Sequence, residues 1–366
     1  MLRRLLALVL ALVPSSLGSQ APAAPERIQV ADGVVLFRTA PYSDVGLDGN
    51  AVVILSNDGV LVFDANGTPA AAESVLAGIR RMTDQPVRWL VLSHWHWDHW
   101  YGAEAYRRAF PGIRIVAHEA TRRLMMDPAL AFNQPGLDDQ LPEHITAVEQ
   151  AVAATAATDT VPGRLARLQR HLADDRFFLA QKRGARHTFP DTTFTDSLVI
   201  RLGTREVRVL HVDRAVTPGD SWLWLPRERI AVTGDLLVNP IPFALGCYPG
   251  GWIRALEDIR ARNAAAIVPG HGMPLRDQVL LDQHLTLLQQ LQRLGAAAKA
   301  RGLGVEQARA EAMDSLRPRM IELTHDDARL NQQFEIYLVD WFLHRVYDQL
   351  EGRLTDEIAP IPRHGP

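Results

Sequence analysis

Residues 91–102, Val-Leu-Ser-His-Trp-His-Trp-Asp-His-Trp-Tyr-Gly, constrain this chain more than any other stretch. The apolar run Trp89–Leu92 reads as a buried strand, and four potential metal ligands follow it within six residues: His94, His96, Asp98 and His99. Three imidazoles and a carboxylate crowded at a strand end bring no packing benefit, because each needs a polar partner once it is buried. They are, however, the donors that a zinc ion takes in a site that activates water. A metal centre therefore explains the stretch better than a merely polar loop does.

Other polar residues stand in the same relation to apolar runs. Asp64 ends the run Val60–Phe63, Thr217-Pro-Gly-Asp220 and Thr233-Gly-Asp235 follow later, and Pro269-Gly-His271-Gly272 closes the series. Taken in this order over about residues 30–275, the five segments resemble those of the metallo-β-lactamase-fold hydrolases. The resemblance is closest to exported members akin to quinoprotein-associated zinc metallohydrolases. It implies an α/β fold, a four-layer αββα sandwich with the site at one edge. It also implies one or two zinc ions per chain: His94 and His96 on one, Asp98, His99 and His271 on the other, and Asp235 bridging them. A hydroxide held between the metals is the implied nucleophile, with its pKa lowered toward neutrality. Asp98 is the implied catalytic residue, orienting that nucleophile and passing on its proton. Asp64 is expected to hold a ligand imidazole in the right tautomer.

The resemblance breaks at two places. The family segment His-Thr-x-Gly-Asp reads Val216-Thr-Pro-Gly-Asp220 here, so a valine stands where the third histidine of the first metal site is expected. His211 and Asp213 are the nearby candidates to replace it, but the offset works against preserved ligand geometry. Tyr101 stands where a glycine is common, and with Trp95, Trp97 and Trp100 it is expected either to rim the pocket or to pack.

A length of 366 residues with 47% hydrophobic content suffices for a sizeable core and exceeds one typical domain. The formal charge of −3 offers no footing for a polyphosphate, which argues against a nucleic-acid partner. One cysteine, Cys247, excludes an internal disulfide framework and reads as a buried, inert thiol. Residues 1–19 have the form of a signal peptide: Arg3 and Arg4, an apolar stretch from Leu5 to Val13, then a small-residue tail. Residues 20–29 follow as a flexible N-terminus. No other run reaches the roughly eighteen apolar residues of a membrane helix, so a periplasmic or secreted protein without a stable span is expected.

Strand patterns cover Val34–Arg38, Ala51–Leu55 and Val60–Asp64, a helix Pro69–Thr83, a second helix 103–109, and a strand Ile113–His118. His118 reads as hydrogen-bonded scaffold. Residues 119–187 turn helical, with loop signals at Asn133–Gly136 and Val161–Gly163, and form an expected insertion that shapes the pocket. Its His144, His171 and His187 lack ligand spacing and are expected at the surface. The second half is expected to begin at Thr192. Residues 276–366 form a helical C-terminal extension, over 275–300, 304–316 and 328–350, with a disordered tail.

The leading expectation is an exported metal-dependent hydrolase of a small ester, lactone, thioester or lactam, a small-molecule substrate in each case. A β-lactamase proper is disfavoured by Asp235, since lactam hydrolases of this fold usually carry other residues there. A degenerate sandwich that binds metal or ligand without turnover rests on Val216 alone. An iron dioxygenase ranks lower, because that branch relies on the missing histidine. Oligomeric state and substrate identity do not follow from the sequence.

Overall fold

The computed structural model describes residues 24–39, 48–127, 136–158 and 163–356. The signal segment 1–19, most of the loop signal 133–136 and the tail from 357 lie outside the described residues. The first sheet has seven strands: β1 (Glu26–Ala31), β2 (Val34–Arg38), β3 (Ala51–Ser56), β4 (Gly59–Phe63), β5 (Val87–Val91), β6 (Arg114–His118) and β7 (Thr192–Phe194), side by side in that order. The second has five: β8 (Ser197–Leu202), β9 (Arg205–Leu210), β10 (Trp222–Leu225), β11 (Ile230–Val232) and β12 (Ala266–Val268), in the spatial order β12-β11-β10-β9-β8.

The strands alternate apolar side chains to both faces, which requires a layer on each side. On β3, Val52 and Ile54 face the second sheet and pack with Leu36, Leu61 and Phe63 against Val207, Val209, Leu223 and Val232. Ala51 and Val53 point outward, into a cluster with Val75, Leu76 and Ile79 of helix α1 (Pro69–Met82) and Tyr106 of α2 (Ala103–Ala109). Thr68 caps α1 by accepting from the Ala71 N–H, and Pro69 supplies a first position that needs no donor.

Three helices follow β6: α3 (Glu119–Met125), α4 (Gly136–Thr158) and α5 (Arg164–Gly184). The outer face of the second sheet is covered by α6 (Pro249–Ala261), α7 (Val279–Ala300), α8 (Val305–Thr324) and α10 (Trp341–Leu350), with α9 (Ala328–Gln333) between the last two. The layers are therefore helix, sheet, sheet, helix. Among the described residues no helix is long and apolar enough to cross a membrane.

Three boundaries differ from the sequence reading. Thr192–Phe194 pairs in parallel with Val116–His118, so the helices 119–187 interrupt the first sheet, and the crossing to the second comes after Phe194. The strand β1 was not expected, because Glu26-Arg-Ile-Gln29 is polar; it survives as an edge strand, with Glu26 paired to Arg38 of β2 at 2.7 Å. The expected helix 328–350 is broken by a π-helical stretch, Phe334–Asp340, where the Tyr337 carbonyl accepts from the Ala244 N–H at 2.8 Å.

Both sheets end toward one edge. Strands β4 and β5 run parallel, as do β11 and β12, so their C-terminal ends open together. The loops beyond them are tied across the sandwich: the Asn50 N–H donates to the Gly270 carbonyl at 2.7 Å, and Asn50 Nδ2 donates to the Pro269 and Gly272 carbonyls at 2.9 and 3.0 Å. From the helical side, fully buried His284 donates through Nε2 to the Pro240 carbonyl at 2.9 Å. Burial pushes its imidazole down to about 4, against the ordinary 6.5. A histidine depressed in the folded state takes up its proton more readily when unfolded, so stability is present above 6.5 and lost as pH falls toward 4. The loss should be on the order of 3 kcal/mol. Chemical denaturation of wild type and His284→Gln at pH 7 and pH 4.5 checks this: the wild type should lose more stability between the two, and equal losses refute the assignment.

Candidate metal centre

All seven predicted site residues lie just beyond strand ends at that shared edge. Asp64 follows β4, His94–His99 follow β5, Asp235 follows β11 and His271 follows β12. Asp64 sits at φ +63°, a left-handed conformation that Asp tolerates better than most residues. This turn aims its carboxylate across to the next loop. Oδ1 accepts from the Ser93 N–H at 2.7 Å, and Oδ2 lies 2.8 Å from both the Ser93 hydroxyl and His99 Nδ1. With Nδ1–H of His99 donating to Asp64, Nε2 is the nitrogen turned toward the pocket. The Ser93 hydroxyl also lies 2.8 Å from His94 Nδ1, which orients that ring in the same way.

The pocket nitrogens and carboxylates fall into two groups of convergent donors, His94/His96/Asp235 and Asp98/His99/His271. Asp235 lies between them. Its Oδ2 is 3.6 Å from His94 Nε2, while its Oδ1 is 3.2 Å from His99 Nε2 and 3.4 Å from His271 Nε2. Asp98 Oδ2 is 3.4 Å from His99 Nε2 and 3.1 Å from His271 Nε2. The close approach of Asp235 requires Gly270, since a Cβ there would stand 2.1 Å from Asp235 Oδ1. Gly49 likewise leaves room for the His99 ring, which a Cβ would meet at 2.6 Å.

Electrostatics divide the site. Burial holds the imidazoles of His94 and His96 down, His94 well below its ordinary value and His96 to about 4, so both are neutral donors. Burial opposes charge on His99 and His271 too, but the facing carboxylates win. Asp235, Asp98 and Asp64 hold His99 well above its ordinary value, and Asp235 with Asp98 lifts His271 to about 9. In turn, burial alone would raise Asp98 and Asp235, yet His99 and His271 hold both carboxyls below the usual range.

The donors fit a metal. His99 Nε2 and Asp235 Oδ1 are buried without a well-formed hydrogen bond although they face each other, which is an unstable arrangement for two polar atoms unless a cation satisfies both. Two groups that share one carboxylate suit one or two divalent ions with N/O preference.

The other sequence expectations resolve as follows. Val216 is buried in the apolar cluster with Trp252 and Cys247. Neither candidate replacement joins the donor groups: His211 donates through Nδ1 to the Asp220 carbonyl at 2.8 Å and stacks on His118, while Asp213 pairs with Arg254. His118 is scaffold, with Nε2 2.7 Å from the Thr195 carbonyl. Trp95, Trp100 and Tyr101 are buried packing residues, and Trp97 alone of the four aromatics is half-buried. The Cys247 thiol is buried, and desolvation pushes it up to about 12. Of the three histidines expected at the surface, His144 and His187 are exposed and His171 is half-buried; His187 also lies beside Trp100 and Tyr101, and His144 and His171 converge on each other. Sequence reasoning missed Ser93 and Asn50; only the position of Ser93 between Leu92 and His94 offered a signal.

The family model of the metallo-β-lactamase superfamily matches residues 44–271. The chain belongs to that superfamily. It is 23% identical over 257 residues to a linear primary-alkylsulfatase from Pseudomonas sp., a match that covers 64% of this chain and 43% of the relative. The chain thus matches less than half the length of that relative. Among solved structures, a metallo-β-lactamase from Pontibacter korlensis has a TM-score of 0.51 at 19% identity, covering 72% of this chain and 99% of the other. The metallo-β-lactamase FIM-1 from Pseudomonas aeruginosa, in a mono-zinc form, has a TM-score of 0.51 at 14% identity, covering 74% and 97%. These two likenesses concern the fold. The chain is thus a member of that superfamily with clustered metal donors.

Because Asp64 orients His99 and, through Ser93, His94, its charge should matter although it points away from the pocket. Asp64→Asn keeps the shape but removes the carboxylate. Metal affinity should fall about 10- to 100-fold, as read by competition with a chromophoric chelator. Unchanged affinity would show that Asp64 is only a packing group.

Proposed function

We propose that the chain hydrolyses a small ester, lactone, thioester or lactam with one or two zinc ions held by His94, His96, Asp98, His99, Asp235 and His271. The observation that carries this reading is Asp235, whose two oxygens face opposite donor groups. Bound zinc would supply Lewis acidity and make water available as hydroxide near neutral pH. The protein does the rest. Asp64 and Ser93 fix the imidazole orientations. Asp98, whose Oδ2 lies among His99 and His271, orients the attacking water and carries its proton. Trp97, half-buried and next in sequence to His96 and Asp98, packs on Tyr101 and Phe178.

A second reading is favoured by an aromatic wall. The Phe243 ring lies 6.0 Å from that of His96 and packs on Trp341 and Tyr337 at 4.9 and 5.7 Å. Such a wall suits an apolar substrate chain. One relative is by name a linear primary-alkylsulfatase, so a sulfate ester with an alkyl chain belongs among the candidates.

Purified, zinc-loaded protein assayed on carboxylic esters, lactones, thioesters, a β-lactam and alkyl sulfates should hydrolyse at least one class. His271→Ala should reduce turnover at least about 100-fold by removing one of three donors in its group. Phe243→Ala should raise KM for long-chain over short-chain substrates if the alkyl reading holds. Full activity in His271→Ala would overturn the metal mechanism.

The reading extends to location: the pattern of residues 1–19 supports export to the periplasm or beyond, with the leader removed. Mass spectrometry of periplasmic protein should find an N-terminus near Ser19 or Gln20. Intact Met1 on a cytosolic pool would refute export.

A further inference from the structure

The helices α4 and α5 pack as a hairpin, through Leu141, Ile145 and Val148 on one and Leu172 and Phe178 on the other. At the margin of that contact three side chains converge. His144 comes from α4, and His171 and Asp175, one helical turn apart, come from α5. His144 Nε2 is 3.3 Å from His171 Nε2; Asp175 Oδ2 is 3.4 Å from the first and 3.3 Å from the second. Asp175 is 1% exposed, His171 19% and His144 44%, so the group opens to solvent on one side only.

Those three separations are informative. Donors arranged tetrahedrally at zinc bond lengths of about 2.0–2.1 Å lie about 3.3–3.4 Å apart. The two nitrogens and the oxygen thus already span three corners of a zinc-sized tetrahedron, with the fourth facing the exposed edge beside His144. Two imidazoles and one carboxylate select a first-row transition ion over calcium or magnesium, which prefer all-oxygen shells.

We propose that His144, His171 and Asp175 form a further metal site, for a zinc-class divalent ion, that clamps α4 to α5. It shares no residue with the centre at the sheet edge. Its ion would have two protein ligands on α5 and one on α4, so binding would add to the apolar contact and the Arg176–Glu149 ion pair, at 2.6 Å, that already join the helices. The same helix α5 places Phe178 5.1 Å from the Trp97 ring and Lys182 Nζ 5.0 Å above it. The clamp therefore steadies the element that backs Trp97.

The test compares metal content and local protection in the full chain. Cobalt(II) and zinc(II) are titrated into wild type, His144→Ala and His171→Ala, with bound metal counted by elemental analysis. Wild type should bind one equivalent more than either variant, because any metal in the sheet-edge centre contributes equally to all three. Zinc should slow amide hydrogen exchange in 141–156 and 164–184 at least about tenfold in wild type and leave both variants unchanged. Should His171→Ala disturb the hairpin, His144→Ala carries the comparison, since its side chain is the most exposed of the three. An equal metal count in wild type and His144→Ala overturns the proposal, as does equal slowing of exchange in both.

Discussion

Seven ionisable side chains are withdrawn from bulk water at one edge of this sandwich, and the rest of the site is arranged to partner them. His94, His96, His99, Asp64, Asp98 and Asp235 are at most 9% exposed, and the His271 side chain is 16% exposed. Isolated burial of any one charge is prohibitive. The groups persist because each carboxylate faces imidazoles and each raised imidazole faces carboxylates. His271 is pushed up chiefly by Asp235 and also by Asp98, while Asp98 is held down chiefly by His99 and also by His271, 3.1 Å away. At the neutral pair His94 and His96 desolvation prevails, aided by the neighbouring imidazoles, over the same Asp98 and Asp235.

That network sets what the backbone must do. Strand ends are where buried backbone hydrogen bonding stops, so polar side chains can turn inward there without breaking a ladder. Two parallel strand pairs, one in each sheet, bring their C-terminal ends to the same edge. Loops from both sheets then interlock: Asn50 binds the His271 loop, and the Ser221 N–H donates to the Ser93 carbonyl at 2.8 Å. The glycines at 49 and 270 remove side chains where His99 and Asp235 come closest to backbone. Donor position thus depends on the sandwich as a whole.

Much of this was legible because the ligand residues have few other uses. A histidine-aspartate cluster after an apolar run admits one economical explanation, and alternating or continuous apolar runs marked the strands β2 to β6 well. What escaped is what depends on three-dimensional convergence. His144 and His171 stand 27 positions apart with no ligand spacing, yet the hairpin brings them to 3.3 Å. The polar strand β1 carries no alternation signal because an edge strand can leave most of its side chains in water. The π-helical turn at 334–340 leaves no mark in a helical pattern, since the carbonyl that Ala244 engages lies nearly a hundred residues away in sequence. The aromatics around the ligands were ambiguous for a similar reason: Trp95, Trp97 and Trp100 look alike in sequence, and only packing separates the two that are buried.

The loss of a histidine at Val216 is compatible with an otherwise retained loop, because that loop is held by its own bonds. Thr217 donates from its N–H and hydroxyl to the two Asp220 oxygens, at 2.6 and 3.0 Å, and Gly219 accepts from Thr121 at 2.7 Å. Desolvation pushes the Asp220 carboxyl up to about 7, so the turn is a buried acid satisfied mainly by its neighbours in sequence. None of these contacts needs the side chain at 216, which packs instead into the apolar cluster behind the site. A loop stabilised in this way can exchange a donor for an apolar residue without moving the donors opposite it. The consequence is asymmetry: Asp98, His99 and His271 offer one carboxylate and two imidazoles with Asp235 beside them, while His94 and His96 depend on the shared Asp235 alone for their third donor. Any metal held by the second group is therefore tied to the occupancy of the first through a single carboxylate.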